Sequence, residues 1–229
     1  GRRKQMVLLR EGMVVIKGAI DLEAQQQVVD MCRALGISEA GFYSPLTRGG
    51  AMHLQMMCLG MHWDPLTNRY EAYRTNLDNK PVPPLPPALW QLAEAAAMAA
   101  SDASYSMPHV QPGVCLINHY THGGKLGMHQ DKSESQSSID RGSPVVSLSI
   151  GDACDFSFSM IRPEDVDASM AALGAEHRAR TVRLESGDIL LFGGPSRLIY
   201  HGVTKIHPNN RPKGLRLRPG RLNLTFREL

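Results

Sequence analysis

Apolar and polar positions along the chain change texture twice. Residues 6–16 (Met-Val-Leu-Leu-Arg-Glu-Gly-Met-Val-Val-Ile) read as strand and turn. Ala19 to Leu35 reads as a helix: Asp21 can cap it, Leu22, Val28, Val29, Cys32 and Leu35 form an apolar face, and Gly36 ends it. Residues 41–85 are irregular and rich in Gly, Met, Asn and Pro, with Met61, Trp63, Tyr70 and Tyr73 expected to be partly exposed. The run Pro81-Val-Pro-Pro-Leu-Pro-Pro87 cannot be helix interior. A second helix follows from about Ala88 to Ser101, with Leu89, Leu92, Ala93, Ala96 and Ala100 on one side. From Val114 onward, short apolar runs alternate with Gly, Ser and Pro turns. The predicted strands are Val114–Tyr120, Lys125–His129, Val145–Ile150, Ala153–Met160, Thr181–Glu185, Ile189–Phe192, Ile199–Val203 and Leu222–Phe226. Successive short strands of this kind build a sandwich or a jelly roll. The expected class is α+β and mainly β, helices first, in one domain over residues 1–229 with no repeat at a fixed period.

Composition narrows the class further. The 229 residues are 42% hydrophobic and 21% charged, which excludes a disordered tail and a collagen-like chain. No apolar run approaches the ~20 residues of a membrane span, so no membrane partner is expected. Cys32, Cys58, Cys115 and Cys154 stand far apart without a CxxC pair, and suit buried thiols of a reducing compartment. Gly1-Arg2-Arg3-Lys4-Gln5 has no start methionine and is read as a processed or recombinant end, which would leave any targeting segment out of view. Nucleus or cytoplasm is expected, without excluding an organelle. Nothing demands an oligomer, and a monomer is expected. The net charge of +3 is too small to announce a polyanionic partner by itself.

The chemical signal begins at His129-Gln-Asp131, followed much later by His201. Side chains alternate along a strand, so His129 and Asp131 would share a face, and His201 would join them from a neighbouring strand. Two histidines and one carboxylate on one face of an octahedron leave three positions open, the arrangement of non-haem Fe(II) oxygenases. HxD also occurs by chance, most often as an ordinary strand feature. The histidines at His53, His62, His109, His177 and His207 have no such company.

Arg221-Leu-Asn-Leu-Thr-Phe-Arg227 raises the odds of a site. Alternation sets Arg221, Asn223, Thr225 and Arg227 on one face, with Leu222, Leu224 and Phe226 on the other. Buried arginines need anionic partners. A small dicarboxylate meets that need through bidentate pairs. A salt-bridged edge strand is the simpler alternative, but Ile189 to Arg227 holds eight Lys or Arg and no Asp or Glu.

Several motifs then fall in one order: Asn118-His-Tyr120, Lys125-Leu-Gly-Met-His-Gln-Asp131, Ser147-Leu-Ser-Ile-Gly151, Ser186-Gly-Asp188, Gly193-Gly194, Arg197-Leu-Ile-Tyr-His-Gly202 and Arg221-Leu-Asn-Leu-Thr-Phe-Arg227. Together they resemble the AlkB family of Fe(II)- and 2-oxoglutarate-dependent nucleic-acid dioxygenases, strongly from Val114 to the C-terminus and more loosely before it. The resemblance implies a double-stranded β-helix (a jelly roll) with N-terminal helices packed on it. It implies a catalytic core over about 114–229 and a nucleotide-recognition lid and linker over about 41–85. By the same resemblance, His129, Asp131 and His201 hold iron. Arg221 clamps the distal carboxylate of 2-oxoglutarate, with Asn223 and Tyr120 hydrogen-bonding it. Arg227 meets the carboxylate beside the keto group, helped by Asn118, and Thr225 completes the row. The activity implied is oxidative N-demethylation with O2, giving formaldehyde, succinate and carbon dioxide.

The family acts on a base held outside the stack. His129 could offer one face to that base, and Met61, His62 and Trp63 are candidates for the other. Tyr70 would meet a phosphate, and Gln130 and Ser133 would stand on the substrate side. Lys125 and the basic run Lys205 to Arg218 are expected near the mouth. An acid two positions after the iron-binding aspartate would suit a cationic base such as 1-methyladenine or 3-methylcytosine, and here that position is Ser133. With Leu59-Gly-Met-His-Trp63, this is more similar to the homologue-1 branch, and the texture around Pro45-Leu-Thr-Arg48 resembles plant members. That branch implies 1-methyladenine in tRNA or N6-methyladenine in DNA. A 2-oxoglutarate-dependent hydroxylase of a protein or small molecule, and a non-catalytic modified-base binder, are the alternatives.

Overall fold

The computed structural model describes residues 4–47, 49–102, 106–121, 123–162 and 178–229. Gly1-Arg2-Arg3, Arg48 and His177, named above, lie outside them. In chain order the elements are β1 (Gln5–Arg10), β2 (Met13–Lys17), α1 (Leu22–Gly36), β3 (Leu46–Thr47), β4 (Gly50–Ala51), β5 (Gln55–Leu59), β6 (His62–Asp64), β7 (Arg69–Glu71), α2 (Pro87–Asp102), β8 (Val114–Tyr120) and β9 (Leu126–His129). There follow α3 (Gln136–Asp140), β10 (Val145–Gly151), β11 (Ala153–Ser159), β12 (Arg180–Leu184), β13 (Ile189–Phe192), a 3-10 turn at Gly194–Ser196, β14 (Tyr200–His207) and β15 (Arg221–Arg227).

Two antiparallel sheets face one another. The larger runs β1-β2-β13-β10-β15-β8-β5 and the smaller β12-β11-β14-β9. The result is a jelly roll with helices on one side. Period-2 alternation decides what each strand gives to each side. Leu222, Leu224 and Phe226 of β15, with Val146, Leu148 and Ile150 of β10, pack against α1 and α2. In α2, Leu89, Ala93, Ala96, Ala97 and Ala100 form the buried stripe, and its small side chains bring that helix close to the sheet. The opposite faces of the same strands look into the space between the sheets, where Met13, Val15, Phe156, Phe192 and Val203 make a second apolar layer.

Several expectations are corrected. Helix α1 begins after Asp21, whose carboxylate accepts from the Ala24 amide at 2.9 Å. Gly36 is its last residue but does not end it through a left-handed turn; Ile37 caps it in right-handed geometry. The glycine is needed for space, because a Cβ there would come within 2.6 Å of the Phe42 ring. Residues 41–85 are not irregular throughout. Strand β5 pairs with β8 from Gln55↔His119 to Leu59↔Cys115 and forms one edge of the large sheet. At the other edge, the strand and turn of residues 6–16 become the β1–β2 hairpin.

Candidate metal and co-substrate site

Between the sheets lies a cavity of about 910 Å3. His129 ends β9, and β14 pairs with β9 in the register His201↔His129, so strand pairing alone sets the two imidazoles side by side. Their ring centroids are 4.4 Å apart. Asp131 is not in the strand as expected, because β9 stops at His129. Its carboxylate still reaches the pair: Oδ1 lies 3.6 Å from His129 Nε2 and Oδ2 3.9 Å from His201 Nε2. All three ligand atoms fall within 4.8 Å of one another.

The surroundings prepare these groups for a cation. His129 Nδ1 lies 2.8 Å from the Gly127 carbonyl and His201 Nδ1 3.0 Å from the Ile199 carbonyl. A carbonyl can only accept, so each Nδ1 carries a proton and each Nε2 is the nitrogen turned to the cavity. Burial would lower the pKa of His129, but the Asp131 carboxylate beside it raises it, so a bound cation would take the place of any proton on that Nε2. His201 is buried against Phe156 and Phe192. Burial and the neighbouring His129 lower its pKa to about 4, which keeps the ring neutral at neutral pH. Burial alone would raise the pKa of Asp131, but Arg227 and the two histidines hold it well below the usual carboxylate range.

The inward face of β15 carries Arg221, Asn223, Thr225 and Arg227, all buried. Arg221 is 1% exposed. Its guanidinium lies 5.4 Å from the Tyr120 ring centroid and donates through Nη2 to Ser149 Oγ at 3.0 Å. Its Nε and Nη1 have no partner, and no carboxylate pairs with it among the described residues. A buried guanidinium with unused donors is poised for an anion. Tyr120 sits on the same wall. Burial raises its hydroxyl pKa to about 12, so the phenol stays protonated and able to donate. Asn118 contributes a buried Oδ1 with no donor of its own.

Arg227 departs from expectation. Its anionic partner comes from outside the strand: Nε and Nη2 donate to Asp131 Oδ2 at 3.0 and 2.7 Å, and Nε lies 3.4 Å from Glu134 Oε1. Only Nη1 remains without a partner. Asn223 departs too. Its amide hydrogens go to Ser147 Oγ at 2.8 Å and the Leu148 carbonyl at 2.9 Å, while its Oδ1 accepts from Thr225 at 3.1 Å. Without a side-chain rotation, Asn223 has no N–H to offer a carboxylate.

The candidate base-side residues separate by strand parity. In β6, Trp63 faces the cavity while His62 and Asp64 are buried on the opposite side, His62 against the Tyr43 ring. Met61 is absent from the cavity wall. Trp63 Nε1 donates to Ser133 Oγ at 3.1 Å. Gln130 lines the cavity and donates to the Leu198 carbonyl at 2.6 Å. Tyr70 turns its hydroxyl inward to Glu134 Oε1 at 2.8 Å instead of presenting it to a phosphate. Lys125 is exposed and outside the wall, and none of the basic residues from Lys205 to Arg218 lines the cavity. His207 pairs with Asp155 at 2.7 Å.

Glu134 and Arg197 were missed as site residues. Arg197 Nη2 donates to Glu134 Oε2 at 2.7 Å, and its Nη1 donates to the Asp131 carbonyl at 2.6 Å. The available signal was an acid directly after Ser133 together with the arginine opening Arg197-Leu-Ile-Tyr-His-Gly202.

The set of donors fits the groups that the sequence resemblance implied. Two imidazole Nε2 atoms and a carboxylate oxygen suit Fe(II) with positions left open. The unused nitrogens of Arg221 suit a distal carboxylate. Comparison with known proteins agrees. Residues 12–227 match the 2OG-Fe(II) oxygenase superfamily. The Arabidopsis thaliana DNA N(6)-methyladenine demethylase ALKBH1C is 43% identical, the alignment covering 96% of this chain and 49% of that protein. The Salmonella typhimurium alpha-ketoglutarate-dependent dioxygenase AlkB is 34% identical over 96% of this chain and 91% of its own. The solved structure of rice OsALKBH1 superposes with a TM-score of 0.88 at 39% identity, covering 98% of this chain and 100% of that one. The chain spans about half the length of the ALKBH1 relatives from Arabidopsis that it matches. It belongs to the AlkB family of 2OG-Fe(II) oxygenases.

Proposed function

We propose that the protein removes N-methyl groups from adenine in nucleic acid, with N6-methyladenine in DNA or 1-methyladenine in tRNA as substrate. The observation that carries this is the joining of His129, Asp131 and His201 to the unpartnered guanidinium nitrogens of Arg221 within one cavity. The name of ALKBH1C supports adenine as the base.

In this reading His129, Asp131 and His201 hold Fe(II), and Arg221 with Tyr120 holds the distal carboxylate of 2-oxoglutarate. Arg227 fixes Asp131 and offers Nη1 to the carboxylate beside the keto group. Iron, 2-oxoglutarate and O2, when bound, would supply the oxidising power to hydroxylate the methyl carbon, one oxygen atom passing to the methyl group and one to succinate with loss of carbon dioxide. The N-hydroxymethyl product then sheds formaldehyde and leaves unmethylated adenine. The protein holds the base beside His129, seats it against Trp63 and excludes water from the apolar walls around Phe156 and Phe192. Within 41–85, strand β5 belongs to the large sheet, and the β6–β7 hairpin serves as the part of the lid that brings Trp63 to the cavity.

The test is incubation with Fe(II), 2-oxoglutarate and O2 against oligonucleotides carrying N6-methyladenine, 1-methyladenine or 3-methylcytosine, each in single-stranded DNA, duplex DNA and a tRNA stem-loop. Mass spectrometry counts the methyl groups lost. Loss from methyladenine by the native protein, absent in Asp131→Ala, is expected. Succinate formation with no methyl loss from any oligonucleotide would overturn the nucleic-acid reading and favour a protein or small-molecule hydroxylase.

A further inference from the structure

The basic run that fails to reach the main cavity ends at a different one. A groove of about 900 Å3 lies between the C-terminal end of α1, the start of β5, the end of β8 and the turn at Leu217–Pro219. Its described lining residues include no Asp or Glu. Arg33, His53, His119 and Arg218 supply nitrogen-rich planar groups, and Phe42 supplies an aromatic face. The floor is apolar, from residues such as Val29 and Leu222. Arg218 is exposed and makes no ion pair among the described residues, whereas Asp30 serves both Arg33 and Arg216. Burial and the nearby Arg218 lower the pKa of His119, so its ring stays neutral at neutral pH.

The position of the groove gives it meaning. Met52 belongs to its wall and to the wall of the main cavity. Along the end of β8, Tyr120 faces the main cavity while His119 and Thr121 face the groove. The two spaces therefore lie on opposite sides of one strand end and meet at Met52. Planar cationic and aromatic groups over an apolar floor, with Arg218 free of the acid that Arg33 shares, match the chemistry that holds single-stranded nucleic acid.

We propose that this groove binds a nucleotide flanking the methylated base on the same strand, with a backbone phosphate on Arg218 and a base stacked among Phe42, His53 and His119. The proposal rests on the nucleic-acid reading of the main cavity. Filling both spaces at once requires the two nucleotides to be unstacked from one another.

Fluorescence anisotropy with a 12-nucleotide single-stranded DNA carrying one N6-methyladenine tests it, across a salt series and with native protein, Arg218→Glu, Arg218→Lys and His119→Ala. Arg218→Glu should weaken binding about tenfold and flatten the slope of log affinity against log salt by about 0.7, the contribution of about one phosphate on a single strand. Arg218→Lys should keep the slope, and His119→Ala should weaken binding without changing it. Arg218 is exposed, so thermal melts should coincide. In parallel, a 5-iodouracil placed next to the methyladenine should photocrosslink to peptides containing Phe42, His53 or His119. Native-protein binding with Arg218→Glu unaffected in affinity and slope, or with crosslinks confined to other peptides, overturns the groove alone. No binding of any oligonucleotide by native protein that still turns over 2-oxoglutarate overturns the nucleic-acid reading and the groove with it.

Discussion

Arg227 and Asp131, 96 positions apart in sequence, are joined by two hydrogen bonds of 3.0 and 2.7 Å to the same carboxylate oxygen, Oδ2. That oxygen is thereby occupied, and Oδ1 is left facing His129. The arginine orients the aspartate as well as lowering its pKa.

Removing one partner of such a buried pair leaves an uncompensated charge, which typically costs about 3–5 kcal/mol. Arg227→Ala would strand Asp131, whereas Glu134 keeps Arg197 and Tyr70 as partners. Its melting temperature, measured without iron or co-substrate, should fall by roughly 10 °C, using about 2–4 °C per kcal/mol for a chain of this size. A melting temperature within 2 °C of native protein, about the shift from 1 kcal/mol or less, would show that the pair is not holding the site together.

Arg221 should behave differently, since its unused donors await a ligand. In anaerobic Fe(II)-loaded protein, 2-oxoglutarate at about a hundred times its dissociation constant should stabilise the native fold by about 2.7 kcal/mol. Differential scanning fluorimetry should read this as a rise of several degrees. Arg221→Ala should show almost no rise while keeping its affinity for the metal. A full ligand-induced rise in the variant would move the distal carboxylate to another residue.

The four cysteines are free and buried. Burial pushes the Cys32 thiol up to about 12 and Cys58 up to about 11. In unfolded chain a thiol ionises near ~8.5. The folded state thus retains protons that the unfolded state releases. The stability this provides is full below about pH 8.5 and declines as pH rises toward those folded values. Native protein at pH 8 should leave these thiols unlabelled by iodoacetamide, and melts should show destabilisation beginning above about pH 9. Rapid labelling of Cys32 or Cys58 at pH 8 would contradict their burial.

Strand patterns were legible wherever one face of a strand differs chemically from the other. The alternation of Arg221 to Arg227 appears in the fold with each side chain on its expected face. Strand β5 was not legible, because Gln55-Met-Met-Cys-Leu59 is buried on both sides: Met57 and Leu59 meet the helices, Met56 and Cys58 the other layer. A run with no polar face has no period to read. The metal-type cluster was legible from residue identity, although Asp131 reaches it from outside the strand. The carboxylate that meets Arg227 and the acceptors of the Asn223 amide hydrogens were not, since Asp131, Ser147 and Leu148 are all distant in sequence. Trp63 could not be chosen over Met61 and His62 until the register of β6 fixed which of them faces inward.

Ser133 carries the remaining prediction. It stands on the cavity wall and accepts the Trp63 indole N–H at 3.1 Å. As a neutral hydroxyl it leaves the base side of the cavity without a carboxylate at that position, whereas Glu134 behind it is committed to Arg197 and Tyr70. A cationic base such as 1-methyladenine therefore gains no direct charge pairing there, and neutral N6-methyladenine loses nothing. Ser133→Asp keeps an acceptor for the Trp63 indole and adds a negative charge facing the base. In a water-poor cavity a charge-assisted contact contributes about 1.5–3 kcal/mol, which corresponds to roughly a tenfold change or more in relative kcat/KM. The variant should shift the ratio of kcat/KM for 1-methyladenine over N6-methyladenine upward by that factor in matched oligonucleotides. An unchanged ratio with unchanged stability would mean that position 133 does not face the base, and that selectivity is set elsewhere on the wall that Trp63 shares.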